Sequence, residues 1–361
     1  MEKLYLAALQ MVSGIGRARL KALVEFFGSA QLAWQADRRN LFLCGCLDET
    51  TCNNLLASRE KIDIHKLANQ WEKHDIKICS FADVEYPALL RHIFNPPMII
   101  YYRGRLPVTE NLIALVGSRR ASAYGKNAAK MLAADLAAAG VWVVSGGARG
   151  IDSAAHQGAI LTGHTIAVLG CGVDVVYPPE NAKLLASITE KGCIISEYAP
   201  GTPPHASHFP ARNRIINGVA RGVIVVEAAE KSGALITADF ALEEGRDVFA
   251  VPGSIFSDCS KGTHRLIKQG AKLIDSASDI FNEYSLMHEN ELYPALTLTS
   301  EEAAVYDILA YDNPMGIEEI VQQAKLISST VTYILLQLEL RGLVTECGGQ
   351  SYVRAVREGI R

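Results

Sequence analysis

Length, composition and charge narrow the class of protein. The chain has 361 residues, of which 49% are hydrophobic, and this is enough apolar material for the cores of two or three domains. A formal net charge of −4 excludes a protein that coats nucleic acid through an overall positive surface, so any site for an anion must be local.

The beginning of the chain and its cysteines indicate a cytoplasmic protein. The first residues, MEKLYLAALQMVSGIG, lack the apolar run of a signal peptide, and no later stretch approaches the roughly 20 apolar residues of a membrane span. The eight cysteines have no C-x-x-C spacing, which is typical of reduced thiols. Cys44, Cys46 and Cys52 are close together but lack the spacing of a zinc site, so we expect neither a metal nor a cofactor.

Residues 1–75 are predicted to form a helical domain in which glycine turns separate short helices. The glycine turn at residues 14–16 is followed by three basic residues, Arg17, Arg19 and Lys21. This pattern is similar to a helix-hairpin-helix, whose turn can present backbone N–H groups to a phosphate. Such a hairpin can also serve as a packing unit alone, and the sequence leaves both interpretations open.

Residues 76–288 alternate short β-branched runs with helical stretches. The repeat of about 25 to 30 residues fits successive strand–helix–strand units, and nearly continuous apolar runs indicate strands buried on both sides. The pattern predicts an α/β domain with an extended, Rossmann-like, doubly wound parallel sheet. The predicted strands are residues 112–116, 141–144, 165–169, 193–196, 223–226 and 247–251.

Three predicted strands are followed by glycine-rich turns, at the edge of the sheet where ligands bind in such folds. The first turn holds Gly117, Ser118 and Arg119, and the third covers residues 170–174. The second turn contains Ser145, Gly146, Gly147, Arg149 and Gly150. Glycine lets backbone N–H groups approach an anion, and the following helix N-terminus adds partial positive charge. A lone glycine turn is usually only a tight turn, but three of them with two arginines favour a phosphate site.

More polar and basic residues are predicted at the same edge. They are Arg212, Asn213, Arg214 and Lys231. Several separate phosphate-sized niches suit a polyanion better than one small metabolite. Tyr177 and Phe209 could stack on bases, although an aromatic ring beside a proline is more often part of the core.

Five motifs together resemble the DNA-processing protein A family, also called DprA or Smf. They are GSR at residues 117–119, SGGARGID at 145–152, GCGVDVVYPPEN at 170–181, FPARNRIING at 209–218 and SGALITADFALEEGRDVFAVPG at 232–253. The resemblance implies a domain that binds single-stranded DNA, forms a homodimer and loads the RecA recombinase onto incoming strands in natural transformation. Single-stranded DNA-binding protein is a further candidate partner. The resemblance also implies a recombination mediator instead of an enzyme, with a helix-hairpin-helix or SAM-like domain at the N-terminus.

The resemblance places the nucleic-acid contacts within these motifs. Relatives often carry lysine after the Tyr-Pro pair, where this chain has Pro179, and Lys183 could supply that contact instead. The predicted contacts are Gly117, Ser118, Arg119, Ser145, Gly146, Gly147, Arg149, Gly150, Tyr177, Pro178, Asn181, Lys183, Arg212, Asn213, Arg214 and Lys231.

The central hypothesis is a phosphate-holding rim of four arginines, namely Arg119, Arg149, Arg212 and Arg214. If the rim neutralises about four phosphates, the logarithm of the affinity for single-stranded DNA should fall with the logarithm of salt at a slope of about −3. The hypothesis requires that all four guanidinium groups face one edge of the sheet.

The last part of the chain, residues 299–361, is predicted to be a winged-helix domain after a polar connector at 289–298. Three helices and a short hairpin are predicted, and the second and third helices resemble a helix-turn-helix pair. The helix that would enter a DNA groove, residues 328–340, carries no lysine or arginine and has acidic neighbours. A helix that reads a DNA groove should be basic. We therefore expect this domain to contact another protein or to regulate the activity of the chain.

Carboxylates at predicted strand ends make an enzyme the main alternative. They are Asp152, Asp174, Glu197 and Glu227. A hydrolase keeps its acid or base at such positions, but no nucleophile or metal set accompanies them, so helix capping and turn bracing are favoured. A Rossmann-type hydrolase of nucleoside monophosphates would carry a PGGxGTxxE signature, which is absent. A scaffold for recombination proteins is a third interpretation, in which the basic turns have no role.

Overall fold

The computed structural model describes residues 1–286 and 298–355. They form a helical N-terminal region, a nine-stranded sheet with helices on both faces, and a C-terminal region of three helices with a three-stranded sheet. Within this part of the chain, no helix is both long and apolar enough to cross a membrane.

The predicted helical N-terminus is confirmed, and polar caps set the starts of four of its six helices. The side-chain oxygens of Ser29, Asp37, Asp48 and Asp63 each accept a backbone N–H at the start of a helix. The helices are α1 (Glu2–Gln10), α2 (Arg17–Phe27), α3 (Ala30–Gln35), α4 (Arg38–Leu43), α5 (Glu49–Lys61) and α6 (Ile64–Lys73).

The central sheet contains all six predicted strands. Two have the predicted bounds, and the other four differ by one residue at one or both ends. The strands are β1 (Lys77–Ser80), β2 (Ile99–Gly104), β3 (Leu112–Val116), β4 (Trp142–Ser145), β5 (Thr165–Val168), β6 (Cys193–Ser196), β7 (Gly222–Val225), β8 (Asp247–Ala250) and β9 (Lys272–Leu273).

The strand order is β1-β2-β6-β5-β4-β3-β7-β8-β9. The strands from β6 to β9 in this order are parallel, whereas β2 pairs antiparallel with both β1 and β6. The sequence did not predict β1, β2 or β9. The first two lie outside the strand–helix repeat and pair antiparallel with their neighbours, and both residues of β9 are exposed.

Helices cover both faces of the sheet. They are α7 (Ala88–Arg91), α8 (Ala123–Ala138), α9 (Ile151–Thr162), α10 (Ala182–Lys191), α11 (His208–Val219), α12 (Gly233–Glu243), α13 (Lys261–Lys268) and α14 (Ala277–Tyr284). Ile113 and Leu115 of β3 pack in a core with α8 and α9, whereas Ala114 and Val116 pack in the opposite core with α11 and α12. Burial of alternate residues on opposite faces is typical of a parallel sheet, and the doubly wound fold is confirmed.

β3 lies where the strand order reverses. The chain leaves β3 through α8 towards β4 on one side, and it leaves β7 through α12 towards β8 on the other. Because the two connections diverge, a crevice opens at the carboxyl ends of β3 and β7.

The C-terminal region is a winged helix, as predicted. Val305, Ile320, Leu335 and Leu338 form the centre of its core. The elements are α15 (Ser300–Ile308), β10 (Met315–Gly316), α16 (Ile317–Ala324), α17 (Ser328–Leu340), β11 (Val344–Glu346) and β12 (Ser351–Arg354). The predicted connector falls outside the described residues except for Leu298, and the domain boundaries stay predictions.

Candidate nucleic-acid interface

An open groove of about 900 Å³ lies at the carboxyl ends of β3 and β7, and we call it the β3/β7 groove. The turns that follow these two strands line it, together with residues at the start of α11. Its exposed basic side chains are Arg119, Arg120 and Lys231. The two turns and α11 are distant from each other in the sequence. They meet at this groove because β3 and β7 are neighbours in the sheet.

The turn after β3 is tightly packed at its first position. A side chain at Gly117 would meet Ile151 at 2.6 Å and the carbonyl oxygen of Glu227 at 2.8 Å. The N–H of Ser118 donates to that same carbonyl oxygen at 2.8 Å. This glycine therefore serves packing, and the Ser118 N–H is not available to a phosphate.

The turn after β4 is also held from inside the protein. A side chain at Gly150, where φ is +76°, would overlap the carbonyl oxygen of Ser118. The carbonyl oxygen of Gly147 accepts a hydrogen bond of 3.0 Å from Nδ2 of Asn181. Ser145 is buried, and its hydroxyl donates to a β3 carbonyl oxygen at 2.6 Å. Asn181 and Ser145 thus brace the turns and are not free to contact DNA.

Internal carboxylates occupy two helix N-termini that were expected to attract phosphate. Glu227 is buried and accepts hydrogen bonds from the N–H of Ser122, at 2.9 Å, and from its hydroxyl at the start of α8. Asp152 lies in the first turn of α9 and accepts the N–H of Ala148 at 3.3 Å. The N-cap of α9 is Gly150, which corrects the predicted capping role of Asp152. Because each carboxylate offsets the charge of its helix end, these two dipoles offer little to an anion.

Arg212 is buried beneath the second turn, contrary to its predicted place on the rim. Its side chain is 3% exposed and donates to the carbonyl oxygens of Gly146, at 2.6 Å, and Val168. A side chain at Gly146 would meet both the Arg212 guanidinium and the Asp152 carboxylate at 2.6 Å. Burial lowers the pKa of Arg212 to about 10 and raises the pKa of Asp152. Arg212 therefore supports the turn from below and is not available to a phosphate.

Two more of the predicted rim arginines are held in ion pairs. Arg149 pairs with Glu180 at the surface, and this hydrogen bond raises the pKa of Arg149. Arg214 pairs with Glu197 where the side chains are only 16% and 17% exposed. Gln10 of the N-terminal region donates to the carbonyl oxygen of Glu197 at 2.8 Å, so Arg214 lies near the contact between that region and the sheet. The predicted rim of four free arginines is not assembled.

Arg119 is exposed in the groove and forms no ion pair with any residue that the structure describes. Its guanidinium carbon lies 5.3 Å from the centre of the Phe209 ring. The rings of Phe209 and Tyr177 are 5.4 Å apart and tilted by 35°. A cation beside two partly exposed rings is an arrangement on which bases could stack. Base stacking itself stays a prediction.

The other predicted contacts are divided between the surface and the interior. Lys183 and Lys231 are exposed, Asn213 is half-buried in the groove, and Pro178 is buried. Arg120 is exposed in the same groove, although it was not among the predicted contacts. Its position directly after the Gly-Ser-Arg motif was the signal in the sequence that could have predicted its place in the groove.

The arginines of the N-terminal hairpin are used in packing. Arg19 donates to the carbonyl oxygen of Gly14 at 2.9 Å and to the hydroxyl of Thr51 at 2.8 Å, and it pairs with Asp48 at 2.7 Å. Arg17 donates to a carbonyl oxygen of the sheet domain at 3.3 Å. These contacts favour the packing interpretation of the hairpin.

Family models match the two folded domains that follow the hairpin. The model described as DNA recombination-mediator protein A matches residues 77–285, and the model described as DprA winged helix domain matches residues 293–350. The chain belongs to the DNA recombination-mediator protein A family. Both walls of the β3/β7 groove lie inside the first match.

Individual members of this DprA/Smf family are similar along most of the chain. Protein Smf from Synechocystis is 33% identical over 98% of this chain and 99% of its own length. DNA processing protein DprA from Streptococcus pneumoniae is 43% identical over 68% of this chain and 88% of its own length. The sequence assignment to the family is therefore confirmed.

Two solved structures of the family have the same fold. The X-ray structure of Streptococcus pneumoniae DprA has a TM-score of 0.68 at 36% identity, covering 80% of this chain and 99% of that one. The second is DNA processing protein A from Helicobacter pylori, studied for its single-stranded DNA binding mode. It has a TM-score of 0.52 at 29% identity, and the match covers 58% of this chain and 96% of that one.

The carboxylates that suggested an enzyme have partners within this DprA/Smf family member. Asp174 accepts the N–H of Gly201 at 2.8 Å, and Glu197 is paired with Arg214. With Glu227 at the start of α8, these groups brace turns and helices. Within residues 1–286 and 298–355, no group of three or more His, Cys, Asp or Glu side chains is placed to hold a metal ion.

Proposed function

We propose that this chain binds single-stranded DNA in the β3/β7 groove and acts as a recombination mediator, not as a catalyst. The observation that carries the proposal is Arg119, which is exposed and lies over the ring of Phe209 at the point where the strand order reverses. A guanidinium group over an aromatic ring offers a cation for a phosphate and a flat surface for a base.

The charge of the groove supports a polyanion as its ligand. Arg119, Arg120 and Lys231 are exposed there, and α12 begins beside Lys231 with no acidic residue in its first turn. Cations spread along an open groove suit a chain of phosphates better than a single small anion. With three cations instead of four arginines, the expected salt slope becomes about −2 instead of about −3.

A salt titration of a fluorescent oligothymidine by anisotropy tests the proposal. The Arg119→Ala substitution is expected to weaken binding about tenfold and to make the slope shallower by about 0.7, the loss of one phosphate contact. Arg105→Ala is the matched control, because Arg105 is exposed just after β2, which runs antiparallel to β6 and so ends at the opposite edge of the sheet. Affinity that does not depend on salt, or equal losses from both substitutions, would contradict the proposal.

The family relationship extends the proposal to partners. We infer that the chain works in the cytoplasm as a homodimer, loads RecA onto single strands entering by natural transformation, and meets single-stranded DNA-binding protein on those strands. A dimer joins two short grooves on one strand, which raises the local concentration of the second groove. Sedimentation that shows only monomer at micromolar concentration would count against the homodimer.

RecA loading has its own assay. RecA ATP hydrolysis on DNA coated with single-stranded DNA-binding protein is expected to start sooner with this chain, and not with the Arg119→Ala variant. No acceleration by the unchanged chain would reject loading, while the salt titration still decides DNA binding. Release of free base from nucleoside monophosphates would overturn the non-catalytic assignment.

A further inference from the structure

The winged helix exposes an apolar face on α17. Tyr333, Leu336 and Leu340 are 63%, 52% and 74% exposed, and Ile327 just before the helix is 71% exposed. The spacing of three and four residues places Tyr333, Leu336 and Leu340 on one side of the helix. A contiguous apolar face of this kind marks an interaction surface in a water-soluble domain.

This outward face is not needed for the fold of the domain. Val331, Leu335 and Leu338 point inwards from the same helix and are fully buried. The core is thus complete on the opposite side of α17. Leu336 and Leu340 lie outside this core, and more than half of each is exposed.

The charge of the described winged-helix residues is negative. Residues 298–355 hold eight Asp and Glu side chains against three Lys and Arg. Arg341 is paired with Glu302 at 2.8 Å and Arg354 with Asp307 at 3.3 Å, whereas the third cation, Lys325, is exposed two residues before Ile327. Glu339 is exposed between the apolar residues of α17, and the backbone N–H of Glu346 on β11 donates to its carboxylate at 3.4 Å.

The apolar face of α17 and the negative charge of the domain together favour some partners over others. Double-stranded DNA and anionic lipid are repelled by the carboxylates. A second copy would bring two acidic faces together, which is unfavourable for the same reason. A helix with apolar residues on one side and lysine or arginine beside them complements both features.

We propose that the outward face of α17 is a docking site for a basic amphipathic helical segment of a partner protein. Apolar side chains of the partner pack on Tyr333, Leu336 and Leu340, and its cations lie beside Glu339 and Glu346. The surface is separate from the β3/β7 groove, and the proposal holds whether or not the groove binds DNA.

The test uses the full chain and a fluorescent peptide of about 18 residues, built from leucine at helical spacing and lysine elsewhere. Anisotropy is expected to show that the double variant Leu336→Ser, Leu340→Ser binds the peptide at least about tenfold more weakly. Phe94→Ser is the matched control, because Phe94 is an 89% exposed apolar residue of the sheet domain. A peptide with glutamate in place of lysine is expected to bind at least about tenfold more weakly to the unchanged chain.

Each remaining result overturns the proposal. Absent peptide binding, or equal binding by the double variant, means that α17 is not the docking site. Self-association that the double variant abolishes identifies a second copy as the partner, and loss of double-stranded DNA binding identifies a DNA reader. Both leucines are exposed, so thermal melting and the affinity for single-stranded oligothymidine should stay unchanged in the double variant.

Discussion

The guanidinium group of Arg212 donates a hydrogen bond of 2.6 Å to the carbonyl oxygen of Gly146, from inside the protein. The turn that was expected to hold a phosphate therefore rests on a buried cation, and Asp152 lies beside that cation. The exposed cations of the β3/β7 groove are instead Arg119, Arg120 and Lys231, and under the proposed function they attract the DNA.

Replacing Arg212 should destabilise the fold without changing how DNA binding depends on salt. The Arg212→Leu substitution leaves the Asp152 carboxylate buried without its cation, and a loss of about 3 to 5 kcal/mol in the free energy of unfolding is expected. Urea denaturation measures this loss. At a temperature where the variant is folded, its salt slope should equal that of the unchanged chain, and a slope shallower by about 0.7 would show that Arg212 contacts a phosphate.

Phe209 is predicted to bind bases by stacking. The Phe209→Leu substitution removes the ring beneath Arg119 and should weaken binding of oligothymidine by about 1 to 3 kcal/mol, while the salt slope stays the same. Phe209→Tyr keeps the ring and should keep most of the affinity. Equal losses in the two variants would show that the position serves packing and not stacking.

The ion pair between Arg149 and Glu180 should limit the affinity for DNA. Glu180 is about half-exposed and holds the Arg149 side chain at the surface. In the Glu180→Gln variant the guanidinium is free for a phosphate, so binding should tighten and the salt slope should become steeper by about 0.7. The same titration with Arg149→Ala should show little loss, and a large loss there would mean that DNA already displaces Glu180.

His156 should make the fold sensitive to acid. Its Nδ1 lies 2.7 Å from the hydroxyl of Thr165, which donates to the carbonyl oxygen of Val143, so Nδ1 carries the proton and donates. Burial, and then the nearby charge of Arg212, lower the pKa of His156 to about 3. Because the unfolded chain binds this proton near pH 6.5 and the folded chain does not, the stabilising contribution is present above about pH 6.5 and is lost as the pH falls.

The size of this effect can be isolated with one variant. At about pH 5 the folded chain should have lost about 2 kcal/mol relative to neutral pH from this group. His156→Asn keeps a donor to Thr165 but removes the titration, so the difference between the urea denaturation curves of the two proteins should shrink as the pH falls. A constant difference between about pH 7 and about pH 5 would contradict the assignment.

Local pattern was sufficient for six of the nine strands of the central sheet and for the winged helix, which follow from runs of apolar residues and their spacing. The sequence also contained a signal, not used in the prediction, that Arg212 is buried. This residue precedes Ile215, Ile216 and Val219 by three, four and seven residues, which places it on the buried side of α11. The strand–helix repeat did not predict β1 and β2, although the run IIYYRG of β2 is rich in β-branched and aromatic residues, and β9 is a strand of two exposed residues.

The amino-acid sequence by itself determined the family, the parallel sheet and the edge where its glycine turns converge, because these depend on residue types close together in the chain. Only the tertiary structure decided which arginines face solvent. Arg212 is buried and donates to the carbonyl oxygens of Gly146 and Val168, whereas Arg149 and Arg214 are paired with Glu180 and Glu197. Whether a cation is free depends on partners that are distant in the chain and meet it only in the folded protein.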